Sequence, residues 1–231
     1  PYTIFTYIKK LLPGHFLVFN SKSLEIKQYW DFGYEKKNLS EKFCQEKIIS
    51  LLKESIKMRL MSDVPLGAFL SGGLDSSAIV ALMASMKYDV KTFSIGFPES
   101  DFSELRYARK IANYFNTDHY EMVVDPYKIE KLPVIIKQLD EPFADHSCLP
   151  VYYLSKLARK HVKVCLSGDG GDELFGGYDR YKYQLWSNTY NRLPSFVGKM
   201  IPLFLIGKVR DRAKRFSQFS YLPDPERYSK W

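Results

Sequence analysis

Short apolar runs and amphipathic segments alternate through the middle of this chain. The amphipathic segments place apolar residues at helical spacing, as residues 79–86 do shortly after the first apolar run. Regular alternation of strands and helices predicts an α/β fold, in which a parallel sheet is flanked by helices on both faces. Strands are predicted at 66–70, 91–97, 120–124 and 162–166, and helical stripes at 79–86, 105–115 and 151–158.

The two ends of the chain have a different pattern. Residues 1–30 hold short aromatic and apolar stretches around Pro13-Gly14, which predicts a strand, a turn and a second strand. Ser40 can cap a helix with an apolar stripe over 48–56. Residues 178–231 are expected to be mostly helical, so the fold class is a parallel α/β domain with a mostly helical C-terminal part.

Composition indicates the size of the core and the cellular compartment of the protein. With 45% hydrophobic residues, the 231-residue chain can bury one sizeable core. No signal peptide is recognisable, and the apolar run 201–206 is far too short to span a bilayer. The three cysteines form no C-x-x-C pair, which argues against a zinc cage or a disulfide framework. We therefore expect a cytoplasmic protein with reduced thiols and no membrane association.

The net charge of +8 is partly concentrated in residues 208–215 (KVRDRAKR). A solvated helix face explains such a segment, and so does a basic lip for ATP, pyrophosphate or RNA. Charge alone does not choose between these interpretations.

A glycine- and serine-rich segment follows the predicted strand 66–70 and leads into a helix. We call residues 71–77 (SGGLDSS) the first loop. Its glycines let the backbone approach a ligand closely, and the next helix offers unpaired N–H groups. The loop lacks the Walker A pattern, yet it predicts a cradle for a phosphate chain, with an ordinary capped turn as the alternative. The residues that form the cradle are Ser71, Gly72, Gly73, Ser76 and Ser77.

Asp75 is the unusual member of the first loop. A carboxylate repels phosphate unless a cation lies between them, and Mg²⁺ binds through one or two carboxylates together with phosphate oxygens. Asp75 therefore predicts a Mg²⁺ ligand. The structural alternative is that Asp75 caps the helix.

A second glycine-rich segment follows the predicted strand 162–166. We call residues 167–178 (SGDGGDELFGGY) the second loop. Three carboxylates among five glycines make poor helix or strand sequence, so we expect a tight loop that presents acidic groups to a cation. A solvent-exposed acidic turn is the alternative. Ligands of parallel sheets bind outside the carboxyl ends of the strands, where both loops begin.

Together the two loops resemble the synthetase domain of glutamine-dependent asparagine synthetases, within the ATP pyrophosphatase superfamily. That resemblance implies a fold of the adenine nucleotide alpha-hydrolase type. It is strong over about residues 60–180, and residues 13–19 and 27–32 resemble the link that leaves the glutaminase domain. The matching segments are SGGLDSS at 71–77, TFSIGF at 92–97, DEPFAD at 140–145 and LSGDGGDELFGGY at 166–178.

The resemblance also implies roles for individual residues. Asp75 and Asp172 match the family's Mg²⁺ ligands, and Asp169 matches a residue tied to formation of the acyl-adenylate. Ile95 matches an aliphatic residue that packs on adenine. The implied ATP-binding set is Leu70, Ser71, Gly72, Gly73, Asp75, Ser76, Ser77, Ile95, Ser167 and Gly168.

The implied reaction is ATP-dependent amidation. A small amino-acid carboxylate, with L-aspartate the first expectation, is adenylated with release of pyrophosphate, and ammonia derived from glutamine then attacks. We expect residues 1–35 to be the tail of a glutaminase domain and linker. Residues 36–231 are then the ATP-binding synthetase domain, with the family's phosphate-contacting lysine beyond Trp231. A homodimer is compatible with the resemblance, and no nucleic-acid partner is expected.

Two other functions stay open at this point. One is a tRNA-modifying adenylating enzyme of the same superfamily, which the basic charge favours and the second loop disfavours. The other is a nucleotide-binding fragment without catalysis. The four histidines show no ligand-like spacing, and residues 140–142 and 145 fit either a substrate pocket or a plain loop.

Overall fold

The fold is taken from a computed structural model that describes most of the chain. The described residues are 2–33, 35–99, 103–125, 129–139, 143, 145, 147–191, 213, 216–220 and 222. The chain forms two compact units, Pro1–Ser167 and Gly168–Trp231. Within the described residues, the helices are all too short or too polar to cross a membrane.

The first unit begins with an antiparallel hairpin and a long helix. Strands β1 (His15–Asn20) and β2 (Ser23–Gln28) pair, and helix α1 spans Glu41–Leu60. The predicted strand-turn-strand order is confirmed, but the turn follows Asn20 instead of lying at Pro13-Gly14. Asn20 fixes the turn because its Oδ1 accepts hydrogen bonds from the backbone of Lys22 and of Ser23, each at 2.9 Å. Ser40 caps α1 as predicted, since its Oγ accepts from the N–H of Phe43 at 3.2 Å.

A four-stranded parallel sheet forms the centre of the first unit, in the order β5-β4-β3-β6. This confirms the predicted parallel α/β fold, and each predicted strand is found within two residues at either end. The elements are β3 (Leu66–Phe69), α2 (Leu74–Ser85), β4 (Lys91–Gly96), α3 (Leu105–Tyr114), β5 (Asp118–Val123), a 3₁₀ turn (Ile129–Lys131), α4 (Leu132–Leu139), α5 (Cys148–Ala158) and β6 (Val164–Leu166).

Helices cover both faces of this sheet because alternate strand residues enter separate apolar clusters. Ala68 and Leu70 lie in one cluster with residues of α1, α2 and α3. Phe69 and Phe93 lie in the other, with Leu157 and other residues in and around α5. Burial on both faces is typical of a parallel sheet and fixes where each strand ends.

The second unit contains two short helices and a further helical stretch. Helix α6 spans Gly171–Phe175, helix α7 spans Asp179–Tyr190, and residues 216–220 are also helical. These agree with the expected helical C-terminal part. The basic segment 208–215 lies outside the described residues, apart from Ala213.

Candidate functional site

The order of the strands reverses between β3 and β6. From β3 the chain adds β4 and then β5 on one side, and β6 returns to pair with β3 on the other. Ala68 pairs with Leu166 in parallel register, so the two strands end side by side. Open α/β sheets bind ligands at such a switch point, outside the carboxyl ends of the strands. The first loop begins at this point, and Ser167 follows β6 at the same edge.

Serine hydroxyls tie the first loop into a closed turn. The Ser71 and Ser76 hydroxyl oxygens lie 3.0 Å apart, and the Ser76 hydroxyl also donates to the carbonyl of Gly73 at 3.3 Å. The N–H of Gly73 donates to Ser71 Oγ at 3.1 Å. The predicted cradle residues are thus brought together, with Ser71 and Gly73 exposed and Ser76 only 8% exposed.

Gly72 is required by both conformation and space. Its φ of +86° lies in the left-handed region that side chains disfavour. A Cβ at this position would lie 2.6 Å from the backbone nitrogen of Ala108 and 2.6 Å from Cβ of Tyr107. The first turn of α3 therefore lies directly against the first loop.

Helix α2 begins immediately after the glycines. The N-cap residue is Gly73, and no side chain forms a capping hydrogen bond at this end of the helix. The interpretation of Asp75 as the cap is therefore wrong. Asp75 instead lies in the first turn, where a carboxylate interacts favourably with the helix dipole. The Ser77 hydroxyl is buried and has no hydrogen-bond partner among the described residues. A buried hydroxyl without a partner fits a loop built to receive a polar ligand.

Leu70 and Ile95 occupy the ends of neighbouring strands. Leu70 follows β3 and is 2% exposed, and Ile95 lies near the end of β4, partly buried. The N–H of Leu70 donates to the carbonyl of Phe93 at 2.9 Å, and the Ser94 hydroxyl donates to the carbonyl of Leu70. Ser94 was not predicted as a site residue. The available signal was a polar residue inside an apolar strand.

The second loop contains a short helix, which corrects the expectation of a tight loop without helix or strand. Asp172 and Glu173 lie in the first turn of α6, between Gly170 and Gly176, which both have left-handed φ. Glycines in this conformation begin and end the helix, and acidic residues suit its positive end. Asp169 precedes the helix and makes interactions of its own. Within the described residues, no group of three or more acidic, histidine or cysteine side chains is arranged to hold a metal.

Contacts inside the second unit fix the acidic side chains of α6. Asp172 packs against Gly177, where a Cβ would lie 1.9 Å from Oδ1 of the carboxylate. The Tyr178 hydroxyl donates to Oε1 of Glu173 at 2.8 Å, and this hydrogen bond raises the pKa of Tyr178 to about 12. The phenol therefore stays protonated near neutral pH.

An exposed cation lies on the first turn of α3. The guanidinium of Arg106 lies 4.5 Å from the ring centroid of Tyr107 and donates to its hydroxyl. Tyr107 is 44% exposed. None of the described carboxylates forms an ion pair with Arg106. Nothing in the sequence pattern distinguished this pair.

A polar network that runs from buried Thr92 to exposed Arg109 joins β4, β5 and α3 away from the carboxyl edge. His119 bonds Thr92 through Nδ1 at 2.7 Å and Glu121 through Nε2 at 3.0 Å. Burial lowers the pKa of His119, although the Glu121 carboxylate partly opposes this. Arg109 binds Glu121 with two nitrogens, at 2.7 to 2.9 Å. Every group has a partner, so the network is structural.

The Cys165 thiol is not an activated nucleophile. All three cysteines are free, and burial raises the pKa of Cys165 to about 11. A thiol with this pKa is protonated near neutral pH.

The fold and loops define a class of α/β domain that places its ligand site at the carboxyl edge of a parallel sheet. Comparison with known families specifies it further: residues 47–228 match the family model described as Asparagine synthase. The match spans more than half of the chain. The chain therefore belongs to the asparagine synthase family.

Curated relatives agree with this assignment. The chain is 36% identical over 203 residues to asparagine synthetase (glutamine-hydrolyzing) 1 of Bacillus subtilis, covering 87% of this chain and 32% of that protein. It is 39% identical over 211 residues to putative asparagine synthetase (glutamine-hydrolyzing) 2 of Methanocaldococcus jannaschii, covering 88% and 41%. Amidase chyE of Penicillium rubens is 29% identical over 225 residues, covering 84% and 32%. The chain thus spans between 32% and 41% of the length of these relatives.

Among solved structures, an NH3-dependent NAD synthetase from Campylobacter jejuni aligns with 80% of this chain and 98% of its own. Its TM-score is 0.35 at 14% identity, which is too low to support an inference about this chain.

Proposed function

We propose that this chain is the ATP-binding part of an amide-forming ligase of the asparagine synthetase type, with L-aspartate as its carboxylate substrate. The observation that carries the proposal is the position of the first loop, at the switch point where β3 and β6 end side by side. Family membership and the names of two relatives support the same reaction class.

In this proposal ATP binds along the first loop. Three features of the loop suit a phosphate chain: Gly72 has no side chain, the N–H groups at the start of α2 are available, and the Ser77 hydroxyl has no partner among the described residues. Ile95, partly buried near the end of β4, suits contact with an adenine ring, and the buried Leu70 directly after β3 fixes where the first loop begins. Ser71, Gly73, Ser76, Ser167 and Gly168 complete the proposed nucleotide contacts.

We assign Mg²⁺ binding to Asp75 and Asp172. Mg²⁺ takes one or two carboxylates together with phosphate oxygens and water, and these two residues match the family's Mg²⁺ ligands in the sequence. When bound, Mg²⁺ neutralises charge on the departing pyrophosphate. Asp75 lies in the first turn of α2, and Asp172 is held against Gly177.

The proposed reaction has two steps. A carboxylate oxygen of aspartate attacks the α-phosphorus of ATP, and the electron pair of the broken P–O bond leaves with pyrophosphate. Ammonia derived from glutamine then adds to the acyl carbon, AMP leaves with the bridging oxygen, and a proton passes to solvent. Charge develops on phosphate oxygens in the first step, where N–H and hydroxyl donors of the first loop stabilise it. We place Asp169 at formation of the acyl-adenylate.

The test is exchange of labelled pyrophosphate into ATP by the natural protein that carries this chain. We expect exchange that depends on Mg²⁺ and L-aspartate, and release of AMP once ammonia is added. Parallel reactions contain L-glutamate or another small carboxylate in place of L-aspartate, and the carboxylate that supports the fastest exchange is the substrate. Formation of ADP and phosphate would refute the proposed adenylation, and exchange that requires tRNA would favour a tRNA-modifying enzyme. ATP binding without exchange for any carboxylate would indicate a non-catalytic nucleotide-binding protein.

A further inference from the structure

The two loops have no cation of their own. Neither SGGLDSS nor SGDGGDELFGGY contains a lysine or arginine, although each carries aspartate. ATP brings several negative charges to any site built from them. Mg²⁺ compensates only part of this charge, so a basic side chain from a neighbouring element would add to the stabilisation of the phosphates.

Helix α3 is the neighbouring element that lies against the first loop. Gly72 has no room for a Cβ because Tyr107 and Ala108 occupy that space, with the closest atoms at 2.6 Å. The Tyr107 side chain therefore starts at the loop itself. The Arg106 guanidinium lies over the Tyr107 ring in a cation–π contact, 4.5 Å from the ring centroid.

Arg106 is available to bind an anion. Its side chain is exposed, and its partner within the described residues is the neutral Tyr107, through the ring and the hydroxyl. A cation over an aromatic ring keeps its outer N–H donors free for a second partner, and guanidinium donors match phosphate oxygens in pairs. Tyr107 links the two elements, because its Cβ lies against Gly72 and its ring and hydroxyl contact the guanidinium of Arg106.

We propose that Arg106 binds the phosphates of ATP at the first loop and that Tyr107 is the positioning residue that orients it. This inference rests on the proposed function, because it takes ATP as the ligand of the first loop. It adds a binding residue from α3, outside both loops. The ligand chemistry is a polyphosphate, and adenosine without phosphates does not engage Arg106.

The test is calorimetric titration of the natural protein with Mg-ATP and, separately, with adenosine. We expect Arg106→Gln to weaken Mg-ATP binding about tenfold, since a charge-assisted hydrogen bond contributes at least this factor. Adenosine binding stays unchanged, which also shows that the variant is folded. Tyr107→Phe keeps the ring and loses the hydroxyl, so it weakens Mg-ATP binding less, about threefold, and Arg106→Lys restores part of the affinity.

Lys110→Gln is the matched control. Lys110 is exposed and lies one helical turn after Arg106 in α3. Its replacement by glutamine removes one positive charge, as Arg106→Gln does. We expect Mg-ATP affinity within about twofold of wild type. Equal affinities of the Arg106 and Lys110 variants would overturn the assignment while leaving the proposed function intact. If the wild-type protein binds no Mg-ATP, both proposals are wrong.

Discussion

The Ser94 hydroxyl donates a hydrogen bond to the carbonyl of Leu70, the residue that leads into the first loop. The N–H of Leu70 donates to Phe93 at 2.9 Å, so β4 holds both backbone groups of Leu70. Ser94 and Leu70 are each 2% exposed, and solvent has little access to either. Strand β4 therefore fixes the point at which the first loop begins.

Replacing Ser94 with alanine should destabilise the first unit. The buried Leu70 carbonyl loses its side-chain donor, and we expect the free energy of unfolding to fall by about 1–3 kcal/mol. Urea unfolding of wild type and Ser94→Ala measures the change. Ser85→Ala is the control, because Ser85 bonds a helix carbonyl at an exposed site and should cost about 0.5 kcal/mol or less. Equal losses for the two variants would contradict the role assigned to Ser94.

A side chain at Gly72 should be strongly destabilising. Gly72→Ala places a Cβ at φ +86° and within 2.6 Å of the α3 backbone, so we expect a loss of at least about 2 kcal/mol. Gly33→Ala is the matched control, since nothing lies within 4 Å of its Cβ position. Thermal unfolding of both variants tests this expectation. A Gly72→Ala protein as stable as Gly33→Ala would show that the loop can move away from α3.

Removing the Asp75 charge should stop adenylation and leave the fold intact. As a first-turn residue Asp75 contributes about 0.3–1 kcal/mol through the helix dipole, so Asp75→Asn should remain folded. As the proposed Mg²⁺ ligand Asp75 should be needed for pyrophosphate release, and Asp172→Asn should behave in the same way. The measurement is pyrophosphate release by the natural protein at saturating Mg²⁺.

Asp89→Asn is the control for this pair. Asp89 is exposed and precedes β4, at the opposite edge of the sheet from the first loop. The control should keep wild-type activity. If both Asn variants at 75 and 172 also release pyrophosphate at close to the wild-type rate, the proposed metal ligands are wrong.

Acidification should weaken the fold through His119. Burial lowers its pKa below the ordinary value of about 6.5, so the unfolded chain binds a proton more readily than the folded one. The stabilising contribution of neutral His119 is present above about pH 6.5 and is lost as the pH falls towards the lowered pKa. One proton gives a slope of at most about 1.4 kcal/mol per pH unit.

Glu121 extends this loss to lower pH. Burial alone would raise its pKa, but the hydrogen bonds and charge of Arg109, helped by His119, lower it overall. Its contribution is present above about pH 4.5 and disappears below it. Urea unfolding at pH 7.0, 6.0 and 5.5 isolates the histidine step. His119→Gln should flatten the dependence, whereas His15→Gln should leave it in place. An unchanged slope in His119→Gln would assign the effect to another group.

Local periodicity was sufficient to predict the sheet and its main helices, because strands buried on both faces and helices buried on one face have regular apolar patterns. The apolar periodicity did not predict α4, because this helix has only eight residues and one of them is Pro133. It also missed α6, since the two glycines that begin and end this helix suggest a loop when only composition is considered.

Polar residues in the core depend on partners that are distant in sequence. Thr92 and Ser94 are almost completely buried in β4. Their partners are His119 and Leu70, which lie 27 and 24 positions away. No local pattern reveals such pairs. The first loop could be recognised from its residue types, but its packing on α3, and so the position of Arg106, depends on the tertiary fold.

The strand order also has a kinetic consequence. Strands β3, β4 and β5 pair with near neighbours in sequence, whereas Leu66 meets Val164 only after roughly a hundred further residues have been placed. Closing so long a segment has a higher entropic cost and is slow relative to local pairing. A nascent chain can therefore build the first loop and strands β3, β4 and β5 while β6 is still being synthesised. Ligand binding competence should then appear late, as a step separate from collapse of the core.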